Sequence, residues 1–258
     1  MDENCFKALD QRDQLPEVSV GTHPWNYAAI IQYADPPALP ADNTSEPTKE
    51  LEVDEALGKG IMIRNKKQMY KVASGKNWFT IFPRGLTITS FHEPLHWYHK
   101  TLTDKDGRIQ ITIGKLRNIC WLDVSGKFQT VTLSQGIKYE IVLHVKSVDA
   151  EIVKFDAPVS FKITLPDGCK VDGERNFKEL LKGGSWKDIS LHEFMMTTEN
   201  VGELQFCIYE HGGTWKSEIE LGGISFKPKT TITPRPSNRQ QQNVDAQQQQ
   251  QNVDTQQQ

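Results

Sequence analysis

Tyr139-Glu140-Ile141-Val142-Leu143-His144-Val145 sets large apolar side chains at every second position and smaller or polar ones between them. Successive side chains of an extended chain point to opposite faces, so this stretch has one continuous apolar face and reads as a half-buried strand. The same period of two recurs in Leu86–Thr89, Ile109–Ile113, Phe161–Leu165 and Leu204–Ile208. Turn-forming groups fall between the runs: Asp106-Gly107, Ser125-Gly126, Gln135-Gly136, Pro166-Asp167-Gly168 and Gly212-Gly213. Short turns join neighbouring strands that run in opposite directions, so the spacing predicts an all-β fold, an antiparallel β-sandwich. Helix signals are short. One covers Glu50–Gly58 and ends at Gly58, and another covers Phe177–Leu181.

Outward from these strands the composition changes. Residues 230–258 hold Gln runs, two Gln-Asn-Val-Asp units and almost no large apolar side chain, so they cannot offset the entropy of ordering and are expected to be a disordered tail. Self-association through Gln/Asn-rich β-pairing is the alternative role for that tail. Residues 1–60 read as a flexible N-terminal extension with a Pro-containing linker at 34–48 and, just before it, a short apolar segment from His23 to Tyr33 that is expected to dock on the main domain, which leaves 61–229 as the folded domain. The chain has 258 residues, 37% hydrophobic and 24% charged, which suits a globular protein with polar extensions. No apolar run approaches the roughly 20 residues that span a bilayer, so no membrane insertion is expected. The start, Met1-Asp2-Glu3-Asn4-Cys5, is acidic where a signal peptide is basic and then apolar, so a cytoplasmic or nucleocytoplasmic location is expected. A formal charge of −3 supplies no field for nucleic acid or an anionic membrane.

Catalytic patterns are sparse. The four cysteines, Cys5, Cys120, Cys169 and Cys207, form no Cys-x-x-Cys pair and are expected as thiols, with Cys120 and Cys207 in the core and Cys5 exposed. His92-Glu93-Pro94-Leu95-His96 spells the His-Glu-x-x-His pattern of zinc proteases. That chemistry needs both imidazoles on one helical face, and Pro94 disfavours helix there, so no metal or other cofactor is expected. No Ser-His-Asp order or phosphate-binding Gly loop is present, so no enzyme activity is expected. The six tryptophans remain. A flat indole either fills a core or lies against the C–H face of a sugar ring beside polar groups that hold the hydroxyls. The strand setting of Trp121 predicts a core residue, whereas the polar loop around Trp97 predicts a ligand-facing one.

These residues resemble the phloem protein 2 (Nictaba-related) family of plants. The resemblance runs from about Ile61 to Pro228 and is carried by Phe82-Pro-Arg-Gly-Leu86-Thr-Ile-Thr, Pro94-Leu-His-Trp97, Leu116-Arg-Asn-Ile-Cys-Trp-Leu-Asp-Val-Ser-Gly-Lys127, Gly136-Ile-Lys-Tyr-Glu140, Trp186 to Phe194, Gly202-Glu-Leu to Tyr209-Glu210, Thr214-Trp-Lys-Ser and Gly223-Ile-Ser-Phe-Lys-Pro228. The leader Ala28 to Pro37 is similar to the extension of the phloem protein 2-A1 subgroup. The resemblance implies a jelly-roll-like sandwich that binds N-acetylglucosamine oligomers, or the N-glycan cores of glycoproteins, without metal or catalysis. It further implies that Trp97 is one stacking residue and that the other family tryptophan is replaced by Ser90, which would weaken binding. Phe91 would substitute if a bulge turned it outward. Glu203 matches a binding carboxylate, and Trp215 matches a family tryptophan that could serve ligand or core. Implied partners are a phloem filament protein cross-linked by disulfides and a second copy in a homodimer, in sieve elements or companion cells. RNA binding, a further family association, gains no physical support from the acidic charge balance.

Overall fold

A computed structural model describes residues 26–35, 56–103, 109–148 and 154–229. Cys5, residues 36–48 of the linker, the Asp106-Gly107 turn and the Gln-rich tail of the sequence reading lie outside the described residues. Among the described residues thirteen strands follow in chain order: β1 (Ile61–Ile63), β2 (Gln68–Ala73), β3 (Lys76–Ile81), β4 (Thr87–Ile88), β5 (Trp97–Thr103), β6 (Gln110–Leu116), β7 (Leu122–Gln129), β8 (Lys138–Ser147), β9 (Val159–Thr164), β10 (Lys170–Arg175), β11 (Trp186–Met195), β12 (Glu203–Glu210) and β13 (Ile219–Pro228). Short helices α1 (Tyr27–Ile31) and α2 (Phe177–Leu180) flank them. Residues 56–59 are also helical, and the turn ends at Gly60 rather than Gly58, with the Gly60 amide donating to the Ala56 carbonyl at 2.8 Å.

The strands form two sheets, one of eight strands and one of five in the order β10-β9-β12-β7-β4. Every ladder is antiparallel. In the larger sheet β13 is the hub: β8 lies along one side of it, and β3 and β6 share the other. Burial of both its faces from Ile219 to Phe226 explains why its sequence shows no clean alternation. The two inner faces meet through rings. Phe128 of the smaller sheet stacks on Phe226 of the larger one with centroids 4.0 Å apart, and Phe206 lies beside them. Ser125-Gly126 is not a turn but the middle of β7. A side chain at Gly126 would stand 2.5 Å from the ring of Phe206, its partner across the ladder, so glycine is needed there to let that ring lie over β7.

Candidate functional site

Ser90, Phe91 and Trp97 form one local unit. A turn after β4 places Ser90 in the left-handed region at φ 53°, and Phe91 follows it into the interior. Phe91 is 5% exposed and Trp97 2%, and their rings pack 5.6 Å apart over Gly114. His99 stacks on Phe91, and the Trp97 indole N–H donates to the Thr89 carbonyl at 2.9 Å. The expectation that Trp97 faces a ligand is therefore corrected: its polar handle is satisfied internally and its faces are covered. Phe91 likewise turns inward and substitutes for no exposed ring. The His92–His96 stretch is a series of turns, with His96 Nδ1 bonded to the Asn118 carbonyl at 2.8 Å.

Trp121 behaves in the opposite way. Leu122 and Val124 point into the core, so the parity of β7 sends residues 121, 123, 125 and 127 to the outward side. Trp121 is 56% exposed and stacks on His211 with centroids 4.0 Å apart and planes 14° apart. The expected core role is overturned, and the deciding signal, phase relative to Leu122 and Val124, was present in the sequence. Next to this pair, Asp123 Oδ2 lies 3.3 Å from His211 Nε2 and 3.5 Å from the Cys207 thiol. Cys207 is half-buried on the outward side rather than in the core, because Phe206 and Ile208 take the inward positions. Burial, then the Asp123 carboxylate, pushes its thiol up to about 12. Cys120 is half-buried and free, whereas Cys169 is disulfide-bonded, so thiols throughout is also corrected.

Further along this outward face, Ser125, Lys127, Lys162, Thr164, Gln205 and Cys207 floor an open groove whose wall is the β1–β2 turn at Arg64 and Asn65. Glu203 begins β12 at this end. Its Oε1 accepts from Lys127 Nζ and Gln205 Nε2, each at 2.8 Å, and the Lys127 bond holds its carboxyl below the ordinary carboxylate range. Trp215 is 59% exposed, so the core alternative for it fails. It follows the other end of β12, seven residues of strand and roughly 24 Å from the Glu203 end. Glu203 and Trp215 therefore do not form one compact pocket with Ser90, Phe91 and Trp97.

The loop that carries Trp215 is tied by a buried cation. The Lys216 ammonium donates to the carbonyls of Cys120, Gly212 (2.7 Å) and Thr214 (3.0 Å) and pairs with the Glu210 carboxylate, which also accepts from the Gly212 amide at 2.7 Å. Lys216 is fully buried, and burial draws its pKa below the ordinary lysine range. On the larger sheet a hydrogen-bonded relay joins Asp188 to His144 Nδ1 at 2.7 Å and His144 Nε2 to Ser225 Oγ at 2.6 Å. Ser225 is fully buried in the central strand and shares its hydroxyl with Thr80, so this relay offers no path from a substrate to the serine.

An antiparallel two-sheet sandwich with one outward face of polar side chains and exposed rings is the class this geometry defines. A family model described as Phloem protein 2 matches residues 76–228. Protein PHLOEM PROTEIN 2-LIKE A1 of Arabidopsis thaliana is 35% identical over 212 residues, covering 80% of this chain and 81% of that protein. Protein PHLOEM PROTEIN 2-LIKE A2 of the same plant is 30% identical over 175 residues, 67% of this chain and 85% of its own. A protein named Lectin from Luffa acutangula is 26% identical over 173 residues, 66% of this chain and 80% of its own. The chain belongs to the phloem protein 2 family.

Proposed function

We propose that the protein is a carbohydrate-binding lectin that holds N-acetylglucosamine oligomers on the outward face of its five-stranded sheet. The observation that carries this reading is the make-up of that face: amide, hydroxyl and ammonium side chains line an open groove, the Glu203 carboxylate bonds two of them, Lys127 and Gln205, and an exposed indole stands further along the same side. Sugars present hydroxyls that donate and accept, and C–H faces that stack, so such a surface matches them in both respects. The Luffa relative named a lectin supports the same reading. Gln205 and Lys127 supply donors, Glu203 supplies an acceptor, and the ligand is bound without a bond being made or broken. Metal has no part in this mechanism.

Calorimetric titration of the full chain with chitotriose in EDTA tests it. Saturable heat with Kd in the range of roughly 1–100 µM is expected. Cellotriose, which has the same linkage but no acetamido groups, should bind at least about tenfold more weakly. Equal affinity for the two would refute the N-acetylglucosamine preference, and absence of binding to chitotriose, cellotriose and an N-glycan core would refute the lectin reading.

A further inference from the structure

We propose that Trp121, stacked on His211, is the ring-stacking subsite of this surface, with Asp123 accepting a hydroxyl of the same sugar residue. The inference rests on the lectin reading and names where along the sheet the ligand is gripped. The rungs of the β7–β12 ladder end at Leu122 opposite Glu210, so Trp121 and His211 stand opposite each other one step beyond it. His211 covers one side of the indole, and the 56% exposure of Trp121 leaves the other to solvent. A ring held this way loses little side-chain freedom when a ligand stacks on it, which is the entropic advantage of a prepared site. Asp123 lies two residues along the same side, roughly 7 Å away, a spacing suited to the hydroxyl edge of a stacked pyranose. Both hydrogen bonds to Asp123 reach Oδ2, so Oδ1 is the atom for a sugar hydroxyl.

The backbone under the two rings is fixed as well. Lys216 binds the carbonyl of Cys120, beside Trp121, and pairs with Glu210, beside His211. From Trp121 the face continues through Tyr209, whose ring lies 4.8 Å from His211, to Lys162 and the polar groove. Trp121 to Lys127 spans six residues of strand, roughly 20 Å, so the surface suits an oligosaccharide lying along β7 rather than a single sugar.

The test is chitotriose binding by Trp121→Ala, Trp121→Phe and, as a control on the other sheet, Trp186→Ala, which is 41% exposed. Trp121→Ala should raise Kd about tenfold, or roughly 1.4 kcal/mol, with an unchanged thermal midpoint. Trp121→Phe should retain most of the affinity, and Trp186→Ala should bind as the parent does. Chitotriose should shift tryptophan emission in the parent and in Trp186→Ala but not in Trp121→Ala. Parental affinity in Trp121→Ala, or equal loss in Trp121→Ala and Trp186→Ala, would overturn the subsite while leaving the lectin reading intact. A parent that binds none of chitotriose, cellotriose and an N-glycan core would remove the lectin reading itself, and the subsite with it.

Discussion

Lys216 shows how much one side chain can organise. Its ammonium is fully buried, and three carbonyls with the Glu210 carboxylate replace the water it has lost. Lys216→Met would fill similar space but leave the Glu210 charge buried and unpaired, so a loss of about 3–5 kcal/mol is expected in urea unfolding. Adding Glu210→Gln should restore part of that loss, because a neutral amide is less costly to bury. A double variant no more stable than the single one would show that the pair acts by packing and not by charge. Little in Thr214-Trp215-Lys216-Ser217 marks the lysine as buried, since the Cys120 carbonyl and the Glu210 carboxylate reach it only once the loop that carries Gly212 and Thr214 folds back against Cys120. Trp121 and Trp97 sit opposite to what their local sequence predicts for a related reason. Local polarity suggested which one faces solvent, but strand phase and the packing of Phe91 over Gly114 decided it.

At the scale of elements, the strands with strict alternation were legible. β8, β9 and β12 appear where the period of two predicted them, because each has one face on the core and one outward. β13 and β5 were hard to read for opposite reasons: one is buried along most of its length, the other is a sheet edge exposed along most of its own. A shift in register between Leu221 and Gly223 lets β13 match β8 on one side while serving β3 and β6 on the other. Gly223 takes φ 129° there, and a Cβ would lie 2.2 Å from the Ile81 carbonyl oxygen. Gly223→Ala therefore combines backbone strain with a clash against main chain, and a loss of about 3 kcal/mol or more is expected. Chemical denaturation measures it, and a change below about 1 kcal/mol would mean the irregularity is not needed for hub pairing.

For the whole molecule, acid should weaken the fold before the carboxylates titrate. His144 and His192 are both held below the ordinary imidazole value of 6.5, chiefly by burial; at His144 the Asp188 carboxylate opposes that shift and Lys227 reinforces it. As pH falls through 6.5, the unfolded chain takes up protons that the folded chain does not, so stability falls with pH and levels off once the folded imidazoles protonate. The urea midpoint should be lower at about pH 5 than at about pH 7.5, and His144→Gln should shrink the difference. An unchanged or higher midpoint at the lower pH would contradict this. The sandwich was legible from strand alternation and turns, and the family from motifs spread over Ile61 to Pro228. The proposed ligand face was not, because it joins side chains from β7, β9 and β12 whose adjacency is a property of the assembled sheet. The hub position of β13 has one more consequence, for the order of events during synthesis. β3, β6 and β8 emerge from the ribosome long before the strand that joins them, so the larger sheet lacks its central member until residues 219–228 are made. Until then the apolar sides of those earlier strands have no permanent cover, and the nascent chain depends on holding factors or on speed to escape aggregation.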